Sequence, residues 1–262
     1  MTDQLVTDRL DGKSALVTGG GGGFGKACAV LLARDGAAVT LMGRNARTLA
    51  VARDVILAKA PDARIAIHAG DSTDESDVKA AVNATIAHGG GIDIVVATVG
   101  GGGGFIPVVE RDLAGFMNDL KINIGASFLA VRHAAPEMRK GGAFVFISST
   151  AAEMAFSGLS SYCAGKAGLD QFMRVAANEL GARGIRLNSI RPGLTHTDGM
   201  EALFQSPGFV DAFRPLVPLG RTGLPNDIAE AVRFLAGPRA SWITGQSFAV
   251  DGGNELRGAP AA

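Results

Sequence analysis

Short apolar runs alternate with longer amphipathic runs along most of the chain. Seven of the short runs are rich in β-branched residues and nearly continuous in apolarity, which is typical of strands buried on both faces of a parallel sheet. The pattern therefore predicts seven strands, at residues 14–19, 37–42, 63–68, 92–98, 143–148, 185–190 and 247–250.

The longer runs between these strands predict helices. Residues 24–36 and 169–184 carry apolar positions at helical spacing, and both runs end in glycine, a common stop signal. Strand–helix alternation along the sequence indicates an α/β protein with a doubly wound, seven-stranded parallel sheet of the Rossmann type. Because there is no linker or break in composition, we expect a single domain over residues 11–254, with tails at residues 1–10 and 255–262.

One segment departs from the alternation. Residues 197–220 separate the sixth and seventh predicted strands, and a connection of this length is usually functional or mobile. We expect it to be a lid over the substrate.

Composition narrows the class of protein. Hydrophobic residues make up 47% of the sequence and charged residues 19%, which is typical of a globular domain. The 25 basic residues balance the 25 acidic ones, which argues against nucleic acid as a partner because phosphate binding usually needs a basic surplus.

Targeting and metal signals are also missing from the sequence. The N-terminus carries acids instead of an apolar core, and no apolar run approaches the length of a membrane span. The two cysteines fit a reducing compartment, so a cytoplasmic location is expected. The four histidines have no metal-ligand spacing, and no metal site is predicted.

The segment TGGGGGFG, residues 18–25, follows the first predicted strand and opens the first predicted helix. At this place in a doubly wound sheet, backbone N–H groups at a helix N-terminus bind phosphate, and glycine lets the backbone approach the ligand. A glycine run alone is a weak signal, because low complexity also produces one. Its position between a strand and a helix predicts dinucleotide binding.

The end of the second strand bears on the choice of dinucleotide. An acid here would bind the ribose 2′-hydroxyl of NAD, whereas this sequence has Gly43, Arg44 and Asn45. The guanidinium of Arg44 suits the 2′-phosphate of NADP, so NADP(H) is favoured over NAD(H). The alternative is that Arg44 is a solvated surface residue at the start of the second helix.

A second glycine run, residues 100–104, follows the fourth strand. Its place at the carboxyl end of the sheet allows close approach of the backbone to the nicotinamide ribose. The alternative, a flexible loop, stays open at this point.

The only tyrosine in the sequence, Tyr162, is followed four residues later by Lys166, so on a helix the two share a face. A cation close to a phenol lowers the phenol's pKa from about 10, which would make Tyr162 usable as an acid–base near neutral pH. Ser148 and Ser149 end the fifth strand, where a hydroxyl can reach into the ligand crevice of an open α/β sheet.

Together these residues resemble the short-chain dehydrogenase/reductase family in its single-domain form, over residues 13–253. The TGxxxGxG motif is Thr18, Gly19, Gly23 and Gly25, and the YxxxK motif is Tyr162 and Lys166. Ser149 is the serine upstream of the tyrosine, and Asn123 is the asparagine in INIG. The PG loop is residues 191–197, and the C-terminal signature is residues 218–237 with 243–253.

The resemblance implies a role for each site residue. Tyr162 would exchange a proton with the substrate oxygen, Lys166 would lower its pKa and bind the nicotinamide ribose, and Ser149 would hydrogen-bond the substrate. Asn123 would hold a water in a proton relay, and Asp71 would lie by the adenine ring. The other residues implied in cofactor binding are Thr18, Gly19, Gly23, Phe24, Gly25, Arg44, Ser72, Gly100, Pro192, Gly193 and Thr197. The resemblance also suggests a homotetramer.

This sequence differs from the family pattern at one place. The family usually has NNAG after the fourth strand, and here the residues are Ala97, Thr98, Val99 and Gly100. We expect altered packing there more than lost chemistry.

The predicted lid is rich in apolar side chains, and other apolar residues are expected to face it. An apolar wall favours a largely apolar alcohol or ketone as substrate, although the same side chains could simply pack the segment onto the domain. They are Met200, Leu203, Phe204, Phe209, Phe213 and Leu216 in the lid, and Phe105, Met154 and Phe156 opposite it.

The sequence thus predicts an NADP(H)-dependent oxidoreductase that transfers a hydride between nicotinamide and a carbonyl or secondary alcohol, with Tyr162 as the acid–base. One alternative is an NAD(H)-dependent enzyme of the same fold. The other is a dinucleotide-sensing or scaffold protein without turnover. The set of Asn123, Ser149, Tyr162 and Lys166 argues against a scaffold, because binding alone does not need it.

Overall fold

The computed structural model describes residues 8–258, and these residues form one sheet of seven parallel strands. The strand order is β3-β2-β1-β4-β5-β6-β7. The strands are β1 (Ser14–Thr18), β2 (Ala38–Gly43), β3 (Ile65–Ala69), β4 (Ile92–Ala97), β5 (Met138–Ile147), β6 (Arg186–Pro192) and β7 (Ser247–Val250).

Helices connect the strands, because consecutive parallel strands need a crossover connection. They are α1 (Gly23–Arg34), α2 (Ala46–Lys59), α3 (Glu75–Gly89), α4 (Leu113–Leu120), α5 (Ala126–Glu137), α6 (Ser160–Leu180), α7 (Glu201–Phe204), α8 (Phe209–Phe213) and α9 (Pro225–Ala236).

The core consists of two apolar layers, one on each face of the sheet. Neighbouring residues of a strand point to opposite faces, so Val17 of β1 belongs to one layer and Leu16 to the other. Helices α1, α2 and α9 complete the first layer, and α3, α5 and α6 complete the second. Because both faces are covered, the inner strands β1, β2 and β4 are mostly apolar without alternation.

The strand order reverses between β1 and β4, with β2 and β3 on one side and β5, β6 and β7 on the other. At such a switch point the connections after the two central strands leave in opposite directions and open a crevice at the carboxyl ends of the strands. Both glycine runs follow these two strands, so the topology brings them to one crevice.

The seven-stranded parallel sheet confirms the predicted fold class, and two predicted starts are wrong. β5 begins at Met138 instead of residue 143, and α6 begins at Ser160 instead of residue 169. The first turns of α6 bury Ser161, Gly165 and Lys166. Because these are not large apolar side chains, hydrophobic periodicity does not reveal this part of the helix.

Residues 197–220 form short helical pieces: a 3₁₀ turn (Asp198–Met200), α7, α8 and a second 3₁₀ turn (Arg214–Leu216). Most of the predicted tails, residues 1–7 and 259–262, lies outside the described residues. Leu10, which the prediction assigns to a tail, is 3% exposed and packs in the first apolar layer. Within residues 8–258, no helix combines the length and the apolarity that a bilayer crossing requires.

Candidate active site

The loop between β1 and α1 has the shape of a phosphate cradle. Gly19 and Gly23 have φ of +66° and +46°, a region that favours glycine. A Cβ on Gly25 would overlap the carbonyl oxygen of Gly19, so α1 starts directly against the loop. No described side chain caps this helix start, which leaves its first N–H groups available to an anion. The cradle therefore fits the diphosphate of a dinucleotide.

The end of β2 places Arg44 in solvent, directly before α2. Arg44 is exposed, and Asn45 after it caps α2 by accepting hydrogen bonds from two backbone N–H groups of the first turn. No acid stands in this turn. The guanidinium is therefore positioned at the rim of the crevice, where the sequence predicts that it meets a 2′-phosphate.

The residues after β3 lie near this rim. The backbone N–H of Thr73 donates to Asp71 at 2.8 Å, and this bond is the main cause of a lowered pKa of the Asp71 carboxyl, to which Arg44 also contributes. Ser72 is buried, and its hydroxyl donates to the sulfur of Met42 at 3.7 Å. The Ser72 hydroxyl is thus engaged inside the fold.

Thr98 accommodates the departure from the family pattern after β4. Its Oγ1 donates to the carbonyl oxygen of Thr18 at 2.7 Å, which ties the end of β4 to the end of β1. A Cβ on Gly19 would overlap the same hydroxyl. The altered packing expected from the sequence at this segment stays a prediction. On the other side of the loop, the ring of Phe24 packs against the first apolar layer.

The second glycine run packs directly on the side chains predicted to be catalytic. A Cβ on Gly100 would overlap the Lys166 ammonium, and a Cβ on Gly102 would lie 3.2 Å from Cβ of Tyr162. Larger residues at these two positions would have to displace Lys166 or Tyr162. This close contact argues against a flexible loop, while the approach of the run to the nicotinamide ribose stays a prediction.

Asn123 holds the same run from the other side. Its Nδ2 donates to the carbonyl oxygens of Gly101 at 2.6 Å and Asp119 at 2.8 Å, and its Oδ1 accepts the Gly101 N–H at 3.2 Å. Asn123 lies in a π turn (Lys121–Gly125) between α4 and α5, a local widening that often marks functional sites. The predicted catalytic asparagine is therefore part of the wall beneath the glycine run.

The remaining three predicted catalytic residues come together in one place. Ser149 follows β5, and its hydroxyl lies close enough to the phenol of Tyr162 to lower the phenol's pKa. Lys166 is 2% exposed; its Nζ donates to the carbonyl oxygen of Ile147 at 2.8 Å and lies 5.7 Å from the centroid of the Tyr162 ring. A hydroxyl, a phenol and an ammonium thus share the crevice.

The prediction that Lys166 lowers the pKa of Tyr162 stays a prediction. In the structure burial raises the pKa of the phenol above its usual value, and the nearby hydroxyl of Ser149 offsets only part of the shift. The ammonium lies over the face of the ring and donates to the backbone instead of the phenol oxygen. Burial also lowers the pKa of Lys166 to about 8, against the opposing charge of Asp170. At neutral pH the phenol is therefore protonated.

The loop after β6 lies between the end of β7 and the phosphate cradle. Pro192 ends β6, and a Cβ on Gly193 would lie 2.8 Å from Cβ of Asp251, which explains the glycine. Thr197 reaches the cradle, since its Cβ lies 3.5 Å from the position of a Cβ on Gly23. The structure therefore brings the predicted PG loop and the first glycine run together.

An ion pair joins the same two regions. Nζ of Lys26, in α1, lies 3.3 Å from Oδ2 of Asp198, the first residue of the 3₁₀ turn that follows Thr197. Asp198 Oδ2 also lies 3.4 Å from the position of a Cβ on Gly22. The start of the predicted lid thus rests over the cradle.

Five rings form what we call the aromatic row. His196 stacks on Phe204 with centroids 4.3 Å apart, and the next centroid distances along the row are 6.5, 5.3 and 6.4 Å. The row runs from the PG loop through the predicted lid to the loop between Ser149 and Tyr162. Its members are His196, Phe204, Phe209, Phe213 and Phe156.

Charged groups also lie near the crevice, and sequence reasoning missed two of them, Asp119 and Arg111. Glu153 is ion-paired with Arg191, whose side chain is largely buried. Asp119 is 2% exposed and sits beside Arg111. The available signal for Asp119 is an acid one helical turn before Asn123, in a stretch that is otherwise mostly apolar.

Comparison with known proteins agrees with this geometry. A family model described as "Enoyl-(Acyl carrier protein) reductase" matches residues 20–255. The 7alpha-hydroxysteroid dehydrogenase of Escherichia coli K12 is 36% identical over 94% of this chain and 95% of its own length. The D-threitol dehydrogenase of Mycolicibacterium smegmatis is 35% identical over 95% of each chain.

A solved structure is similar along nearly its whole length. A 7alpha-hydroxysteroid dehydrogenase in complex with NADH and 7-oxo glycochenodeoxycholic acid superimposes with a TM-score of 0.90 and 34% identity, over 97% of each chain. With the family model and the curated relatives, the likeness covers the whole domain and both glycine runs. The chain therefore belongs to the short-chain dehydrogenase/reductase family and is an oxidoreductase of alcohol and carbonyl groups, with a fold that binds a nicotinamide dinucleotide.

Proposed function

We propose that the protein is an NADP(H)-dependent carbonyl reductase that acts on a largely apolar, ring-bearing ketone, with Tyr162 as the proton donor. The observation that carries the proposal is the contact of Ser149, Tyr162 and Lys166 beneath the second glycine run. A protein that only senses a dinucleotide has no use for a half-buried phenol and a buried ammonium held together, since burying an ammonium costs free energy.

The chemistry follows from the protonation states of these groups. A bound reduced nicotinamide would supply a hydride to the carbonyl carbon. In this proposal the Tyr162 phenol, whose pKa is raised by burial, is protonated at neutral pH and donates its proton to the carbonyl oxygen. Ser149 donates a hydrogen bond to the same oxygen, which polarises the carbonyl. The mostly charged Lys166 stabilises the phenolate that remains.

The choice of NADP(H) rests on the turn after β2. Arg44 is an exposed cation in the position where an acid would favour the free 2′-hydroxyl of NAD. A guanidinium binds a phosphate monoester through charge-assisted, often paired hydrogen bonds. The NADH in the complex of the similar steroid dehydrogenase makes NAD(H) the alternative that the experiment below distinguishes.

The substrate class rests on the aromatic row. Phe156 of the loop between Ser149 and Tyr162 stacks on Phe213 of the predicted lid, so an apolar wall adjoins the crevice. Rings offer large flat apolar faces to such a wall. The names of the relatives indicate substrates as different as a steroid and the linear D-threitol. Membership of the family therefore does not select a ring-bearing substrate, and the proposal of one rests on the apolar wall.

The first test is a thermal-shift titration with NADPH and NADH at matched concentrations. A dinucleotide at 100 times its Kd adds about 2.7 kcal/mol of stability, and we expect the larger shift with NADPH. Oxidation of the preferred dinucleotide is then followed with a 7-oxo steroid, cyclohexanone and the linear 2-hexanone, and we expect the ring ketones to give the higher kcat/KM.

Each alternative has its own outcome. A larger shift with NADH would replace the cofactor assignment and leave the chemistry in place. Faster turnover of the linear ketone would overturn the ring-bearing class. Binding of either dinucleotide without turnover of any carbonyl or alcohol would favour the sensing or scaffold protein.

A further inference from the structure

Asp119 is buried between the second glycine run and the helix that carries Tyr162, and the chemistry proposed above does not use it. Its Oδ2 accepts the hydroxyl of Ser161 at 2.5 Å and the backbone N–H of Gly103 at 3.2 Å. Arg111 forms an ion pair with the same oxygen, with its NH1 atom 3.8 Å away. One carboxylate oxygen thus contacts the loop, the helix and a cation.

The first partner, Ser161, stands directly before Tyr162 in the first turn of α6. This helix has no side-chain cap among the described residues, so its start depends on other contacts. Ser161 is fully buried, and its bond to Asp119 joins the start of α6 to the end of α4. A carboxylate near a helix N-terminus is also favoured by the helix dipole.

The second partner, the loop of residues 100–104, cannot hold its own shape with side chains, because all five residues are glycine. Such a run is the most flexible backbone that a polypeptide can contain. In the structure Arg111 NH2 donates to the carbonyl oxygen of Gly104 at 2.8 Å, while Asp119 holds Gly103. The arginine and the aspartate together fix the far half of the loop.

The loop in turn packs on the reacting group. Gly102, between the residues held by Asn123 and Asp119, lies so close to Tyr162 that an added Cβ would approach its Cβ to 3.2 Å. The same carboxylate therefore fixes the residue before Tyr162 and the loop that covers Tyr162. The Tyr162 ring therefore lies between the second glycine run and the start of α6, both of which are bound by Asp119.

We propose that Asp119 is a positioning residue, whose carboxylate, neutralised by Arg111, holds the second glycine run and the start of α6 in the one arrangement that aligns Tyr162 with the substrate. The proposal rests on the proposed function for its kinetic consequence. Its structural consequence, a single well-defined environment for Tyr162, holds with or without turnover.

The competing explanation is that Arg111 and Asp119 form a buried ion pair that only stabilises the fold. Such a pair would leave the environment of Tyr162 unchanged when the bond to Ser161 alone is removed. Because Tyr162 is the only tyrosine in the sequence, labelling with 3-fluorotyrosine gives a single ¹⁹F resonance that reports on this ring directly.

The test compares Ser161→Ala with Ser160→Ala. The second variant is a matched control, because Ser160 is the neighbouring residue in the same turn and its buried hydroxyl has no hydrogen-bond partner among residues 8–258. Asp119→Asn is the second test variant, since it keeps the shape and one acceptor oxygen while removing the charge that Arg111 faces.

We expect Ser160→Ala to keep the wild-type ¹⁹F resonance and kcat. Ser161→Ala should move or split the resonance, and should lower kcat about tenfold at saturating dinucleotide, because small misplacements of a reacting group cost one to two orders of magnitude. Its Kd for the dinucleotide should stay within about twofold. Asp119→Asn should change the resonance in the same direction.

Other results overturn the proposal. A Ser161→Ala resonance identical to that of Ser160→Ala would assign Asp119 a purely structural role, as would a loss of thermal stability in Asp119→Asn with an unchanged resonance. If the wild-type protein turns over no carbonyl compound, the proposed function fails, but the ¹⁹F comparison still decides whether Asp119 positions Tyr162.

Discussion

At the scale of single residues, the crevice combines groups whose protonation is set by burial. Tyr162 is the residue on which the proposed chemistry depends, because its phenol faces Ser149 and its pKa is raised by burial. The buried position of Lys166 lowers the pKa of its ammonium. Both shifts come from the same desolvation, which disfavours any charged form.

Tyr162→Phe should abolish turnover while leaving dinucleotide binding nearly unchanged, because the substitution removes only the phenol oxygen that transfers the proton. The loss should exceed about a hundredfold in kcat, measured by oxidation of the reduced dinucleotide. Kd, measured in parallel by thermal shift, serves as the control for folding. Turnover retained by this variant would remove Tyr162 as the proton donor.

Arg44→Asp should move the preference from NADP(H) towards NAD(H), since an acid in this turn favours the 2′-hydroxyl and repels the 2′-phosphate. We expect the ratio of kcat/KM for the two dinucleotides to change by at least tenfold. Arg47→Asp is the matched charge reversal one turn later in α2. An equal change of this ratio in both variants would mean that the overall charge of the region, and not Arg44 itself, sets the preference for NADP(H).

Stability should depend on pH through Lys166. Its pKa is about 8 in the folded protein against 10.5 for the unperturbed group, so between these values the unfolded state binds more protons and the free energy of unfolding rises with pH. Relative to Lys166→Met, the wild-type protein should therefore gain up to about 3 kcal/mol between pH 8 and pH 10.5. Urea unfolding of both proteins across this range checks the sign; a constant difference would contradict it.

At the scale of elements, the site depends on where helices begin. The starts of α1 and α6 lack side-chain caps among the described residues, and each is instead held by the loops around it. At α1 the tight contact of Gly25 with the Gly19 carbonyl aligns the first N–H groups with the cradle. A small change in this contact alters the whole phosphate site.

Gly25→Ala should weaken dinucleotide binding by at least tenfold, because the new Cβ would overlap a backbone oxygen that cannot move without opening the cradle. Calorimetric titration with the preferred dinucleotide measures the effect. Gly181→Ala is the control, since a Cβ at Gly181 meets no atom within 4 Å among the described residues. An unchanged Kd in Gly25→Ala would mean that the cradle does not bind the phosphates.

Much of the fold could be predicted from the sequence because burial on both faces makes the inner strands, such as β1 and β4, mostly apolar. The start of α6 could not, since its first turns bury Ser161, Gly165 and Lys166. Hydrophobic periodicity detects a helix by the spacing of its apolar side chains. The first turns of a helix whose polar face points towards an active site lack that spacing.

The residues of the candidate site were predictable from their spacing, but their energetics were not. The pair of Tyr162 and Lys166 suggested a lowered phenol pKa, whereas burial is the largest influence on the phenol in the structure and raises its pKa. The role of Asp119 depends on contacts with Ser161 and Gly103. These residues are distant in sequence, so no local motif contains them.

At the scale of the whole molecule, two faces of the domain expose large apolar side chains. Phe128 and Val175 lie on the α5–α6 face, beside a cavity of about 290 Å³. Phe234 of α9 and Phe248 of β7 are also exposed, and β7 is an edge strand of the sheet. Two separate self-complementary faces are what a dimer of dimers needs. We place the two interfaces of the homotetramer that the family resemblance suggests at these two groups of side chains.

Light scattering after gel filtration should give about four times 26.7 kDa for the wild-type protein. Phe128→Lys and Phe234→Lys each place a charge on one face, so each should yield dimers, and the double variant should yield monomers. Circular dichroism of each variant controls for folding. A wild-type protein that elutes as a monomer would rule out both surfaces at once.

The turn between α9 and β7 contains the only tryptophan of the sequence, Trp242, which is 99% exposed. An indole in full contact with water emits at the red end of its range and is readily quenched by small solutes. Its intrinsic fluorescence will therefore report whether the α9 face becomes covered, while the only phenol reports the crevice. The protein thus carries two single-residue reporters: the indole of Trp242 for assembly and, after labelling with 3-fluorotyrosine, the ring of Tyr162 for the crevice.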